Sequence, residues 1–193
     1  DYYGLDIDRI AAAVTDRTKM IMINSPNNPS GCIVKKTDMD NLVEFVRGKD
    51  IWLLTDECYS AIIYDEEHVT PLTYREVKDQ VLYVNSASKT FAMTGWRVGY
   101  AYMPAEVLPC VSKSHLMLAT CAPSFAQHGA ETAFRKSSGY TTMMRDEFKK
   151  RRDIVVKALS KCPGADFPSP KGAFYVLPSI ERLNMTPLEF SLG

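Results

Sequence analysis

The stretch Asn85-Ser86-Ala87-Ser88-Lys89-Thr90-Phe91-Ala92-Met93-Thr94-Gly95-Trp96-Arg97-Val98-Gly99-Tyr100 follows directly on the apolar run Val81-Leu82-Tyr83-Val84. It surrounds Lys89 with the hydroxyls of Ser86, Ser88 and Thr90 and places an arginine a short way downstream. Ser88-Lys89-Thr90 superficially matches the end of a nucleotide P-loop. That motif needs glycines where Tyr83 and Ser88 stand, so it fails. The residue types suit other chemistry. A lysine amine condenses with an aldehyde, and its basicity falls readily in a suitable environment. Serine hydroxyls and an arginine fork can hold a phosphate. A polar cluster just after an apolar strand lies where open α/β sheets collect ligands, outside the carboxyl ends of the strands.

Two earlier apolar runs end the same way. Met20-Ile21-Met22-Ile23-Asn24 leads into Ser25-Pro26-Asn27-Asn28-Pro29-Ser30-Gly31, a rigid turn by its prolines, asparagines and glycine. Taken alone it is a βα loop; with a ligand it holds an Asn amide toward an oxygen. Ile51-Trp52-Leu53-Leu54-Thr55 leads into Asp56-Glu57-Cys58-Tyr59. A carboxylate ending an apolar strand is costly without a partner. Asp56 is therefore either a helix N-cap or the partner of a cationic ligand atom. Nearly continuous apolar strands of this kind belong to parallel sheets covered on both faces. Between the first two, Thr37 is the expected N-cap of a helix carrying Leu42, Val43, Phe45 and Val46 as its apolar stripe, and Gly48 ends it. Strand, helix, strand at this length is a βαβ unit. Val98 to Tyr102 is a fourth candidate strand.

The second half is more helical. Residues 105–119, 124–136 and 141–160 carry helical patterns; Met144, Phe148, Val155 and Leu159 mark one face of the last. Its charge run Lys149-Lys150-Arg151-Arg152 reads as a solvated face, and Trp96 and Tyr100 read as core. Gly172 to Leu177 is predicted as a strand, and Thr186-Pro187 opens another helix.

The chain has 193 residues, with 46% hydrophobic and 24% charged, which places it among ordinary globular proteins rather than disordered ones. Lys+Arg and Asp+Glu are both 23, and this balance argues against a general nucleic-acid binder, which needs surplus cations. No apolar run approaches the ~20 residues that span a bilayer, so no membrane partner is expected. Cys32, Cys58, Cys110, Cys121 and Cys162 include no C-x-x-C pair, and His68, His115 and His128 are widely spaced. Neither a metal site nor a secreted disulfide framework is expected, and a reducing cytoplasm is the simplest compartment. The chain opens on Asp1 rather than methionine.

The ordered set resembles the class I/II aminotransferase family of pyridoxal-phosphate enzymes, the aspartate aminotransferase fold (fold type I). The set is Asn-Asn-Pro-Ser-Gly, Asp-Glu-Cys-Tyr, the Lys89 segment, and Pro170-Lys171-Gly172-Ala173-Phe174-Tyr175. The likeness runs from about Thr18 to Leu177. It implies an α/β three-layer sandwich with a mostly parallel sheet. Residues 1–140 would be the later portion of the large cofactor domain. Residues 141–193 would be a linking helix and the beginning of a small α+β domain.

It also implies roles. Lys89 would be catalytic, forming a Schiff base with pyridoxal 5'-phosphate and then moving a proton at the substrate. Asp56 would sit at the pyridine nitrogen and keep it protonated. Asn28 and Tyr59 would bind the phenolic oxygen, and Ser86, Ser88 and Arg97 the phosphate, once a loop folds Arg97 back. Cys58 reads as packing. The implied reaction carries an amino group from an L-amino acid to a 2-oxo acid in a homodimer. A carbon–sulfur lyase doing β-elimination on the same fold is the alternative. A third reading is an inactive fragment, since the family's ring-stacking aromatic, its glycine-containing phosphate loop and its substrate-carboxylate arginine match nothing in this chain. A sheet lacking its first strands is expected to leave an edge open.

Overall fold

A computed structural model describes residues 3–192. Its centre is a four-stranded sheet in the order β1 (Met20–Asn24), β2 (Trp52–Asp56), β3 (Val81–Ser86), β4 (Gly99–Tyr102). The first three strands are parallel and β4 runs antiparallel to β3. The architecture is therefore mixed α/β with a mostly parallel sheet, as the apolar runs predict. No helix among the described residues is long and apolar enough to cross a membrane.

The described residues also form seven helices: α1 (Ile7–Ala13), α2 (Lys36–Val46), α3 (Ala87–Thr90), α4 (Leu108–Ala119), α5 (Ser124–Lys136), α6 (Ser138–Leu159) and α7 (Pro187–Leu192). The crossover helix α2 supplies the main core. Met39, Leu42, Val43 and Val46 are buried against Ile23, Leu53 and Val81, which point to one face of the strands. Alternation then sends the neighbours of those residues to the other face, where Met22 stands 71% exposed. Gly48, at φ +74°, lets the chain turn out of α2 as expected. The start differs from expectation. The helix begins at Lys36, and the Thr37 hydroxyl lies 3.5 Å from the Asp38 carboxylate instead of capping. Thr186 does cap α7. Its hydroxyl accepts from the Glu189 backbone N–H while the Glu189 carboxylate accepts from the Thr186 N–H, a reciprocal capping box.

Three further expectations need correction. Residues 172–177 do not form a strand. Gly172 makes a single bridge to Ile63, and Ala173 adopts φ +56°, which breaks an extended run. The charge run on α6 is not wholly solvated. The Arg152 side chain is 11% exposed, pairs with Asp65 and donates to the Pro170 carbonyl. Trp96 and Tyr100 are 44% and 39% exposed rather than core; Trp96 lies flat against Gly129 of α5.

Segment 170–175 instead docks across the carboxyl ends of the strands. Lys171 and Gly172 both donate to the Gly31 carbonyl, at 2.8 and 3.0 Å, and Ala173 donates to Ile62. Gly31 makes this approach possible. It sits at φ +71°, and a Cβ there would lie 2.6 Å from Pro170 Cβ and 2.8 Å from the Tyr175 carbonyl oxygen.

Two substitutions test this architecture. Leu53→Ala, at a fully buried position facing α2, should lower unfolding free energy by about 2–5 kcal/mol in urea titration. A loss under about 1 kcal/mol would remove Leu53 from the core. Gly31→Ala should cost at least about 1–2 kcal/mol from its backbone conformation alone and should speed hydrogen exchange at Lys171 and Gly172. Unchanged exchange there would mean that Gly31 does not hold the segment.

Candidate active site

Strand register assembles the first part of the site. Asn24 pairs with Asp56, and Asp56 with Val84, so Ser86 lies two residues further along β3. All three belong to the alternate set that faces away from the α2 core. The Asn24 amide donates to the Asp56 carbonyl at 3.1 Å, and its oxygen accepts from the Asn28 N–H at 2.8 Å. Asn24 thus ties the Asn28 loop to the end of β2. The Asp56 side chain is half-buried, and its Oδ1 accepts from the Cys58 N–H at 3.1 Å. This is the turn-stabilising geometry of an aspartate that caps a chain reversal.

Tyr59 is buried and faces the lysine. Lys89 Nζ lies 5.9 Å from the Tyr59 ring centre and 5.7 Å from that of Phe174. Burial first, and then a hydrogen bond with Tyr175, hold the Tyr59 hydroxyl above the usual phenol range, while a hydrogen bond from the Asn28 side chain opposes the shift. Cys58 sits among the same groups. Burial first, then hydrogen bonding and charge from Asp56, push its thiol up to about 11, against a hydrogen bond from Ser86 and the Lys89 charge. The thiol is therefore neutral at ordinary pH. Pairwise interactions thus run from Asn28 to Tyr59, from Tyr59 to Lys89, and from Cys58 to Asp56, Ser86 and Lys89.

The remaining two residues are placed differently. Ser86 Oγ accepts from the Ser88 N–H at 3.1 Å, which caps α3 and starts the turn carrying Lys89; Ser88 itself is buried. The loop beyond α3 does fold back, because the Ala87 N–H donates to the Val98 carbonyl at 3.1 Å. Arg97, next to Val98, adopts φ +56° and is exposed. Its guanidinium donates to the Thr94 carbonyl at 3.0 Å, so its backbone adjoins the Ser86–Ser88 turn while its side chain is engaged within its own loop.

Sequence reasoning assigned nothing to two features. Glu57 is a fully buried carboxylate directly after Asp56. It accepts from Thr55 Oγ1 at 3.0 Å and meets His68 Nε2 at 2.5 Å. The other feature is Tyr175, whose hydroxyl lies 2.6 Å from that of Tyr59. The Pro170–Tyr175 motif flagged the segment, but no local spacing links positions so far apart in the chain.

Comparison with known proteins covers nearly the whole chain. The family model for aminotransferase class I and II matches residues 1–191. The probable aspartate/prephenate aminotransferase of Aquifex aeolicus is 38% identical over 91% of this chain and 46% of that protein. The solved aromatic aminotransferase of Pyrococcus horikoshii superposes with a TM-score of 0.92 at 35% identity, over 97% of this chain and 51% of that one. A Thermus thermophilus aspartate aminotransferase double mutant gives 0.87 at 34% identity, over 96% and 48%. The chain thus spans about half the length of the curated relatives it matches. It shares their fold and belongs to the aminotransferase class I and II family.

Proposed function

We propose that the complete protein is a pyridoxal-phosphate-dependent aminotransferase that moves an amino group from an L-amino acid to a 2-oxo acid. The observation that carries this reading is Lys89 Nζ over the Tyr59 ring, with Asn28 against the Tyr59 hydroxyl and Asp56 at the carboxyl end of the parallel strand β2, in a chain of this family. The donor set suits the cofactor. It offers a carboxylate for a ring nitrogen, an amide and a phenol for a phenolic oxygen, hydroxyls and a guanidinium for a phosphate, and an amine for a carbonyl carbon. Bound pyridoxal phosphate would supply an electron sink for the substrate's α-carbon.

The chain's own residues would do the rest. Asp56 would accept from the ring N–H and keep that nitrogen protonated. Asn28 and Tyr59 would donate to the phenolic oxygen; Tyr59 suits this because its raised ionisation keeps its proton in place. Lys89 Nζ would hold the cofactor and, once freed by the incoming amine, take the proton from the substrate α-carbon. Ser86, Ser88 and Arg97 would receive the phosphate, Arg97 by turning from the Thr94 carbonyl. Residues 1–140 would belong to the cofactor domain, and residues 141–193 to the linking helix and the start of the small domain. The same reading makes the complete protein a cytoplasmic homodimer, for which family membership is the support.

The test is a half-reaction. Loaded with pyridoxal phosphate and mixed with L-aspartate or L-phenylalanine, the protein should release the matching 2-oxo acid as the cofactor converts to its amine form. Lys89→Ala should slow this by about 10²–10⁴-fold or more with an unchanged far-ultraviolet circular dichroism spectrum. Wild-type turnover in the variant would remove Lys89 from the chemistry. With L-cystathionine, whose Cβ carries a thiolate leaving group, release of pyruvate, ammonia and the thiol with no amine form of the cofactor would replace transfer with elimination.

A further inference from the structure

Tyr175 lies outside every role assigned above, yet it is the residue most firmly joined to the candidate site from the far end of the chain. Its hydroxyl is 2.6 Å from that of Tyr59, and the two rings meet edge to face at 5.5 Å. Phe174 braces the pair, 5.4 Å from the Tyr59 ring and stacked on Phe148 of α6 at 5.0 Å. The backbone bonds of residues 171–173 to Gly31 and Ile62 fix the segment from below.

A phenol has one proton to give and two lone pairs that accept. The Tyr59 oxygen has two partners, the Asn28 side chain and Tyr175. Asn28 offers that oxygen an amide N–H, the sense of contact that lowers a phenol's ionisation. Among the described residues the Tyr175 hydroxyl has one hydrogen-bond partner, Tyr59. Two arrangements follow. If Tyr59 donates to Tyr175, its only proton is spent, and it has nothing to offer a ligand. If Tyr175 donates to Tyr59, both Tyr59 lone pairs are filled and its proton is free for a ligand. Two donors into one oxygen also polarise its O–H and strengthen the bond it gives.

We infer that Tyr175 is a positioning residue whose hydroxyl donates to Tyr59 and thereby commits the Tyr59 proton to an anionic oxygen of the bound ligand. The inference rests on the functional reading above, in which that oxygen is the phenolic oxygen of pyridoxal phosphate. It assigns the Pro170–Tyr175 motif a chemical task in addition to its packing. It also couples the segment after α6 to the protonation state of the site.

Tyr175→Phe keeps the ring contact and deletes only the hydroxyl. Pyridoxal phosphate uptake, followed by equilibrium dialysis, should weaken about 3–10-fold, the effect of one neutral hydrogen bond. The pH midpoint of the bound chromophore's visible band should rise, because a weaker Tyr59 bond stabilises the anionic oxygen less. Difluorotyrosine at 175 is nearly isosteric and a stronger donor, so it should move the midpoint down; it serves equally if the phenylalanine variant fails to fold. In a Tyr59→Phe background, Tyr175→Phe should change neither quantity further. Unchanged or tighter uptake with an unmoved or lowered midpoint would show that Tyr59 donates to Tyr175, and would overturn the inference. An equal loss in the Tyr59→Phe background would do the same, by reducing Tyr175 to packing. A wild-type protein that takes up no pyridoxal phosphate would instead overturn the functional reading, and this inference with it.

Discussion

The pairing of β1 with β2, from Met20 opposite Trp52 to Asn24 opposite Asp56, sets where every group of the site stands. A slip of one residue would turn Asp56 into the core beneath α2 and bring Thr55 out in its place. Buried Leu53 and Ile23 oppose such a slip, because it would expose them. The hydrophobic contact between α2 and one sheet face is thus what orients Asn24, Asp56 and Ser86 on the other. The loops then need only short reach. Asn24 holds the Asn28 loop, Asp56 holds the turn to Cys58 and Tyr59, and Ser86 starts the turn that presents Lys89.

A second constraint closes the site from outside the sheet. Gly31 lets the 170–175 segment approach closer than any side chain would allow, and Tyr175 reaches Tyr59 as a result. Residues more than a hundred positions apart therefore share one hydrogen bond. The ion pairs of Asp65 with Lys149 and Arg152 hold α6 against the same region. The buried Glu57–His68 contact stiffens the chain between β2 and the loop that follows.

Much of this was legible in the sequence, for identifiable reasons. β1, β2 and β3 could be read because their apolar runs are nearly unbroken, although the face away from α2 leaves Met20 and Met22 exposed, and the Gly48 stop because glycine suits its backbone. The clusters holding Asn28, Asp56, Tyr59 and Lys89 could be picked out because each lies at or just beyond a strand end, where ligands gather, while the roles proposed for those residues come from the family likeness. The departures share a cause: they depend on partners distant in the chain. Gly172 to Leu177 has strand composition, yet docking on Gly31 bends it at Ala173. Arg152 looked solvated within its charge run because Asp65 and Pro170 are invisible to helical periodicity. Tyr175 lacked a role because its partner is Tyr59. Glu57 drew no reading because His68 is needed to make sense of it.

The central claim is that Lys89 is the amine that captures the cofactor. Borohydride reduction of the protein mixed with pyridoxal phosphate, followed by digestion and mass mapping, tests it most directly. The account predicts one stoichiometric, reduction-stable adduct, located at Lys89 alone among the lysines. A stoichiometric adduct at a different lysine, or labelling scattered over the surface lysines with Lys89 unmodified, would contradict it.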